Sequence, residues 1–218
     1  MALDKSIDFL KQIRLNNNRE WMLDNKSSYQ AAKDEFLEFA GKLLAKMQLV
    51  DEGLNGLDPK KCVFRINRDI RFSKDKSPYK TNFGMYLSEG GKNGGKAGYY
   101  LHLEPGDNSF LAGGIYAPDS EKLAKIRQEI DYNAAELKKI VDKKSFKALF
   151  GAVQGDGLKR APKGYAEDHP NIELLKLKSF IVIHKLSDKE IHSISADKCV
   201  SVFSEIKPMN DYFNVAIS

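Results

Sequence analysis

Apolar residues recur at helical spacing over the first fifty positions of the chain. Ile7, Leu10 and Ile13 open an amphipathic pattern that stops at the turn Asn16-Asn17-Asn18. Arg19-Glu20-Trp21-Met22 then leads into a longer stripe of Tyr29, Phe36, Phe39, Leu43, Leu44 and Met47. Spacings of three and four place such residues on one side of a helix, so residues 6–50 are expected to be helical and to bury that side. The cluster Gly53-Leu54-Asn55-Gly56-Leu57-Asp58-Pro59 ends this part with a turn.

The period then changes to two. Phe64, Ile66, Ile70 and Phe72 alternate with Arg65, Asn67, Asp69 and Arg71, which predicts a strand with an apolar and a charged face. Arg68 falls on the apolar side, so either a bulge re-aims it or an acid pairs with it. Ser73–Pro78 reads as a polar loop. Phe83, Met85 and Leu87 predict a second strand, Tyr99–Glu104 a third and Ser109–Tyr116 a fourth, joined by the glycine-rich turn 90–98 and by Pro105-Gly106-Asp107-Asn108. Phe180–His184 adds one more apolar run. Pro118-Asp119-Ser120-Glu121 starts a helix whose buried stripe is Leu123, Ile126 and Ile130, with shorter helices after it. Residues 151–171 are irregular, a length that is commonly functional. Ser187 and Glu190 have capping-box spacing, and helices carrying Val200, Phe203 and Ile206, then Met209, Tyr212 and Phe213, close the chain. The expectation is α+β: one domain over 1–218, with a helical part at 6–50, a sheet at 62–116 and a helical and loop part at 118–218. The sheet is mostly antiparallel, has four or five strands and packs against several helices.

Composition sharpens this in one place. The net charge is +5, and residues 58–80 hold eight Lys/Arg against three acids, so the whole surplus sits there. A local surplus favours a discrete anion site over general affinity for polyanions. No apolar run approaches the ~20 residues that cross a bilayer, and the first residues lack the apolar region of a signal peptide. Cys62 and Cys199 stand far apart without metal-ligand spacing. Buried thiols in a reduced, cytoplasmic protein, away from membranes, are the expectation.

The stretch Phe64-Arg-Ile-Asn-Arg-Asp-Ile-Arg-Phe-Ser-Lys-Asp-Lys-Ser-Pro-Tyr-Lys-Thr81 resembles the signature of a bacterial and fungal family catalogued as a conserved domain of unknown function. Asn18-Arg19-Glu20-Trp21, Gly113–Pro118 with Ile126-Arg127, and Pro162–Tyr165 with Asp168-His169-Pro170 match in order. The resemblance covers nearly the whole chain. It implies one domain of about this length and no reaction, cofactor or catalytic residue.

Two readings of the charged stretch stay open. In one, its acids take the arginines and the cluster is structural. In the other, guanidinium and ammonium groups left without acids form a pocket for a phosphate-bearing or otherwise anionic small molecule. The candidate ligand-binding residues are then Arg65, Arg68, Arg71, Lys76, Tyr79 and Lys80, with Gly113 and Gly114 letting a ligand approach the backbone and Tyr116 and Arg127 joining from the fourth predicted strand and its helix. The pocket is expected where Ser73–Lys80 meets the end of that strand and the 157–170 loop. Should chemistry occur there, Asp69 is the first general-base candidate, with His102 or His169 next. No Ser-His-Asp order, His-Glu-x-x-His or paired cysteines support a hydrolase triad or a metal. Nucleic-acid binding over Phe64, Phe72, Tyr79, Tyr99 and Tyr100 is a second function, and a non-catalytic interaction module a third.

Overall fold

In the computed structural model, which describes residues 3–218, the helical period of the first fifty residues becomes α1 (Asp4–Leu15), α2 (Arg19–Asp24) and α3 (Lys26–Met47). Asn18 caps α2 by accepting the Trp21 amide at 2.9 Å, which is why the chain turns at the asparagine run. The stripe behaves as expected: Ile7, Leu10, Ile13, Phe36, Phe39, Leu43, Leu44 and Met47 are all buried. A single turn, α4 (Pro59–Cys62), follows, with Asp58 as its cap.

The sheet has four strands among the described residues, β1 (Phe83–Leu87), β2 (Gly98–Leu103), β3 (Ser109–Ile115) and β4 (Phe180–Leu186), in that spatial order with every neighbouring pair antiparallel. Alternation sends Phe83, Met85, Leu87, Tyr99, Leu101, Leu103, Leu111, Phe180 and Val182 to one face, where each is buried. Against that face packs α9 (Ala196–Ala216), contributing Val202, Phe203, Ile206, Met209 and Phe213. At about 1.5–3 kcal/mol for each large apolar side chain buried, this layer carries much of the core. Helix α9 runs through Pro208 unbroken, because buried residues on both sides of the proline hold it to the sheet. Gly113 belongs to this contact: a Cβ there would lie 2.5 Å from Ile206 Cγ2.

Helix α5 (Ser120–Val141) starts from the Asp119 cap and continues, with a kink at Asn133, over residues expected to form a separate short helix. It is followed by α6 (Lys144–Phe150), α7 (Ile172–Leu175) and α8 (Asp188–His192). Ser187 and Glu190 form the capping box at the start of α8.

The strand expected over 64–72 is absent, and this is the main correction to the fold. Phe64 N–H donates to Gly84 O, and Val63 bridges Met85, so the segment begins by lying along the outer edge of β1. It then leaves as an open hairpin, with Arg68 N–H bonded to Pro78 O, Lys80 N–H to Ile66 O, and Asn67 bridging Tyr79. Side chains bend the backbone in between: Asp69 accepts the Arg71 amide and Asp75 the Ser77 amide. Such local bonds compete with a ladder. Of the four apolar residues expected to share a buried face only Ile66 is buried, while Phe72 is 96% exposed. The irregular stretch 151–171 likewise starts as an edge cover, with Gln154 exchanging both backbone bonds with Ile181 on β4. Covering both edges removes unpaired strand donors from solvent. No helix among the described residues is long and apolar enough to cross a membrane.

Candidate functional site

Among the described residues no helix covers the cleft on the second face of the sheet. Register places Tyr86, Tyr100, Ala112 and Ile183 in one row across it, and Gly84, His102, Phe110 and Lys185 in the next. Above them opens a cleft of about 850 Å³, walled by Phe64 and Lys80 on one side, Lys92 and Lys96 of the glycine-rich turn at one end, and Gly114 to Asp119 with Lys122 on the other. A concave, largely apolar floor with a few polar groups is the usual form of a small-molecule site.

On that floor β2 carries a hydrogen-bonded row. Tyr100 Oη lies 3.1 Å from His102 Nδ1, and His102 Nε2 lies 3.0 Å from Glu104 Oε2. The Thr81 hydroxyl donates to the other Glu104 oxygen at 2.6 Å. With the carboxylate accepting from Nε2–H, Nδ1 is the unprotonated nitrogen and accepts hydrogen bonds from the Tyr100 hydroxyl and, at 3.4 Å, from the Asn82 side-chain amide. The imidazole stacks on Phe110, centroids 4.6 Å apart and planes 8° from parallel. Gly84 leaves the room that the phenol uses, since a Cβ there would lie 2.7 Å from Tyr100 Oη. Burial, then the Glu104 charge, push the Tyr100 phenol up to about 12.

The rim holds four cations, Lys80, Lys92, Lys96 and Lys122, and Arg65, which lines neither opening, stands near Lys80. Lys96 pairs with Glu89 at 2.7 Å and Lys122 lies 3.8 Å from Asp119. Among the described residues Lys80, Lys92 and Arg65 have no carboxylate within ion-pair distance. The Lys80 and Lys92 ammonium groups lie 5.4 and 5.0 Å from the centre of the Phe64 ring, and Lys92 also donates to Val63 O at 2.6 Å. A cation over a ring recovers only about 0.5–1 kcal/mol at exposed sites. Burial and the neighbouring Arg65 and Lys92 charges hold the Lys80 amine below the usual lysine range.

The structure separates the residues that the sequence grouped. Lys80, Gly113, Gly114, His102 and Tyr116 line the cleft. Arg68 and Tyr79 line a smaller polar recess of about 340 Å³ beside it, which shares Lys80 and Asn82 with the cleft. There Arg68 pairs with Asp75 and reaches Ser77 O and Ser73 Oγ, and the Tyr79 backbone exchanges two hydrogen bonds with the Asn17 side chain. Arg71 grips Asp69 through Nε and a terminal nitrogen at 2.9 and 2.6 Å, and Lys76 donates to Ile70 O. The Arg71 fork holds Asp69 below the usual carboxylate range, which weakens it as a base, and Asp69 lines neither opening. Arg127 is spent elsewhere. It donates to Leu175 O at 2.8 Å and Leu177 O at 3.3 Å, satisfying two carbonyls after the irregular stretch. His169 bonds Asp131 and the Asn171 amide, and no residue of 157–170 lines either opening, so the expected meeting with that loop does not occur. Each glycine of the pair meets neighbouring structure: α9 lies against Gly113, and Gly114 (φ 117°) would place a Cβ 2.0 Å from Phe180 O.

Glu104 and Lys92 were missed in the sequence, and Tyr100 entered only as a stacking face for a nucleic acid. Tyr100 and Glu104 stand at i−2 and i+2 from His102, so period two marked them as sharing its face. Lys92 carried no signal, because it arrives through closure of the glycine-rich turn.

Residues 5–212 match the family described as conserved hypothetical protein (DUF2461). Neither a curated protein nor a solved structure matches the chain.

Proposed function

The chain belongs to the DUF2461 family of conserved hypothetical proteins, and we propose that it binds an anionic small molecule in the cleft on the open face of its sheet. The charged group of the ligand, a phosphate or carboxylate, sits at Lys80, Lys92 and Arg65. Its apolar or aromatic body lies on Tyr100, Phe110, Ile181 and Ile183. The observation that carries this reading is the rim. Lys80 and Lys92 line an apolar cleft with Arg65 close by, near enough that burial and these two charges lower the Lys80 pKa, and among the described residues none of the three has a carboxylate within ion-pair distance. Like charges held together in a partly desolvated place raise the free energy of the empty protein, and an anion relieves that cost.

The test is a thermal shift against phenyl phosphate, adenosine monophosphate and benzoate. A ligand at 100-fold its dissociation constant adds ~2.7 kcal/mol of stability, a rise of about 5–10 °C for a chain of this size. The double variant Lys80→Met/Lys92→Met is expected to lose that rise. No shift with any of the three in the wild type contradicts the proposal.

Two exposed aromatic residues, Phe72 at 96% and Tyr116 at 75%, favour a second reading, a single-stranded nucleic acid stacked on exposed rings. Salt separates the two. A site for one charged group has a shallow salt dependence, whereas a strand that neutralises several phosphates weakens steeply as salt rises.

A further inference from the structure

We infer that Tyr100, His102 and Glu104 form a proton relay that makes the Tyr100 hydroxyl the reactive group of the cleft, where it takes a proton from a bound anionic substrate. The inference rests on the proposed function only for where the substrate's charge sits. The relay itself stands on side-chain geometry.

Each member is oriented by a neighbour other than its hydrogen-bond partner. Thr81 holds the outer oxygen of Glu104 and so turns Oε2 to the imidazole. Phe110 fixes the plane of the His102 ring. Gly84 makes the space for the phenol, and Phe64 meets the Tyr100 ring edge-on at 6.1 Å. Independent support of this kind is what a working site needs and a chance row of hydrogen bonds lacks. The row also has a direction. Glu104 ends it at the strand terminus, and Tyr100 ends it at the cleft with its oxygen lone pairs accepting no hydrogen bond among the described residues. Its neighbour Tyr99 shows the contrast. That phenol faces the core, donates to Asp51 Oδ2 at 2.7 Å and is closed in.

The proton balance is simple. The X–H bond of the substrate breaks and an O–H bond forms at Tyr100, while the original phenolic O–H breaks and an N–H bond forms at His102 Nδ1. The electron pair of X–H stays on X. The imidazolium produced is stabilised by Glu104, the arrangement of nucleophile, base and orienting carboxylate with a phenol in the first place. Because burial and Glu104 disfavour a standing phenolate, the two transfers belong to one step. Phe64 touches both Tyr100 and the Lys80/Lys92 pair, so a small substrate anchored on the lysines reaches the phenol.

The experiment labels the full chain with 4-(fluorosulfonyl)benzoate and, in parallel, with neutral benzenesulfonyl fluoride, and maps the adducts by peptide mass. Reaction joins the Tyr100 oxygen to sulfur, breaks S–F, releases fluoride and passes the phenolic proton to His102. Tyr100 is expected to react at least tenfold faster than the other eight tyrosines, and His102→Gln to lower its rate at least tenfold with both reagents. Glu104→Gln, which leaves the stack on Phe110 in place, is expected to lower it severalfold and is the deciding arm should His102→Gln melt far below the wild type. Lys80→Met/Lys92→Met should slow only the anionic reagent. Labelling of Tyr100 that is indifferent to both His102 and Glu104, or that falls on Lys80 instead, overturns the relay. Dependence on His102 without any preference for the anionic reagent upholds the relay and contradicts the anion site.

Discussion

The outer part of the hairpin, 68–77, and the open face of the sheet treat charge in opposite ways. The hairpin is dense in ionisable groups, and it spends most of them on itself: Arg68 on Asp75, Arg71 on Asp69, Lys76 on a carbonyl. Beside the open face some charges are left over: Lys92, with Lys80 and Arg65 from the two legs of the hairpin, has no carboxylate within ion-pair distance among the described residues, nor have those two. Charge density along a sequence therefore marked the neighbourhood and not the site. What distinguishes a site is the group whose partner is missing, because only that group gains when a ligand arrives.

The largest expected effect probes the floor of the cleft. Gly84→Val forces a branched side chain onto Tyr100 Oη, already 2.7 Å from the first added carbon. Overpacking of this kind costs about 1–3 kcal/mol, read as a melting temperature lower by roughly 2–10 °C, together with loss of the Tyr100 adduct. A variant that melts and labels like the wild type would show that the phenol is not held where the relay requires.

Next comes the rim. Lys80→Met removes a desolvated cation beside two others, so the empty protein should hold its melting temperature or gain up to about 2 °C while anion binding falls, a trade seen where stability is sacrificed to a site. A clear loss of stability would mean that Lys80 already has its partner.

Both regions should gain stability as pH rises, but in separate windows, acid for the hairpin and alkaline for the rim. Asp69 and Asp75 have folded pKa values below their unfolded ones, through Arg71 for Asp69 and through Ser77 and Arg68 for Asp75. Their contribution is complete above about pH 4 and is lost as pH falls through the lowered values. Lys80 is lowered too, at the alkaline end, because its charged form is the one penalised. Between its folded value and the usual 10.5 the unfolded chain binds more protons, so stability rises with pH across that window. Lys80→Met should flatten the alkaline rise and leave the acid limb unchanged. The reverse pattern would place the strained charge in the hairpin.

The smallest effect is local. Arg68→Gln should leave the fold and the anion response intact and raise protease nicking between 69 and 76 severalfold, since Arg68 ties Asp75, Ser77 and Ser73 across the hairpin. Unchanged nicking would show that these ties are not what stiffens it.

How far the sequence reached follows the same division. Period two was a sound guide wherever one face meets a helix, as in Phe83-x-Met85-x-Leu87 and Tyr99-x-Leu101-x-Leu103. It misled at Phe64-x-Ile66, where Asp69 and Asp75 offered the backbone local partners and no sheet lay ready to receive Phe72. The helical stripes were legible because their spacing alone fixes a face. The Tyr100-His102-Glu104 row was present in the same alternation, but its meaning depends on that part of the face being left uncovered, which is a property of where α9 and the edge segments go. The convergence of Lys80 with Lys92 depends on a loop closing over Phe64, and no spacing rule carries it.

The central claim is that an anion binds at Lys80 and Lys92 on the rim and not at Arg68 and Arg71 in the outer hairpin. Calorimetric titration of phenyl phosphate into the wild type, into Lys80→Met/Lys92→Met and into Arg68→Gln/Arg71→Gln tests it directly. Losing two charge-assisted contacts of about 1.5–3 kcal/mol each should weaken binding to the first variant by about 100-fold or more, with the second within threefold of wild type. Loss in the arginine variant with full binding in the lysine variant would contradict the account.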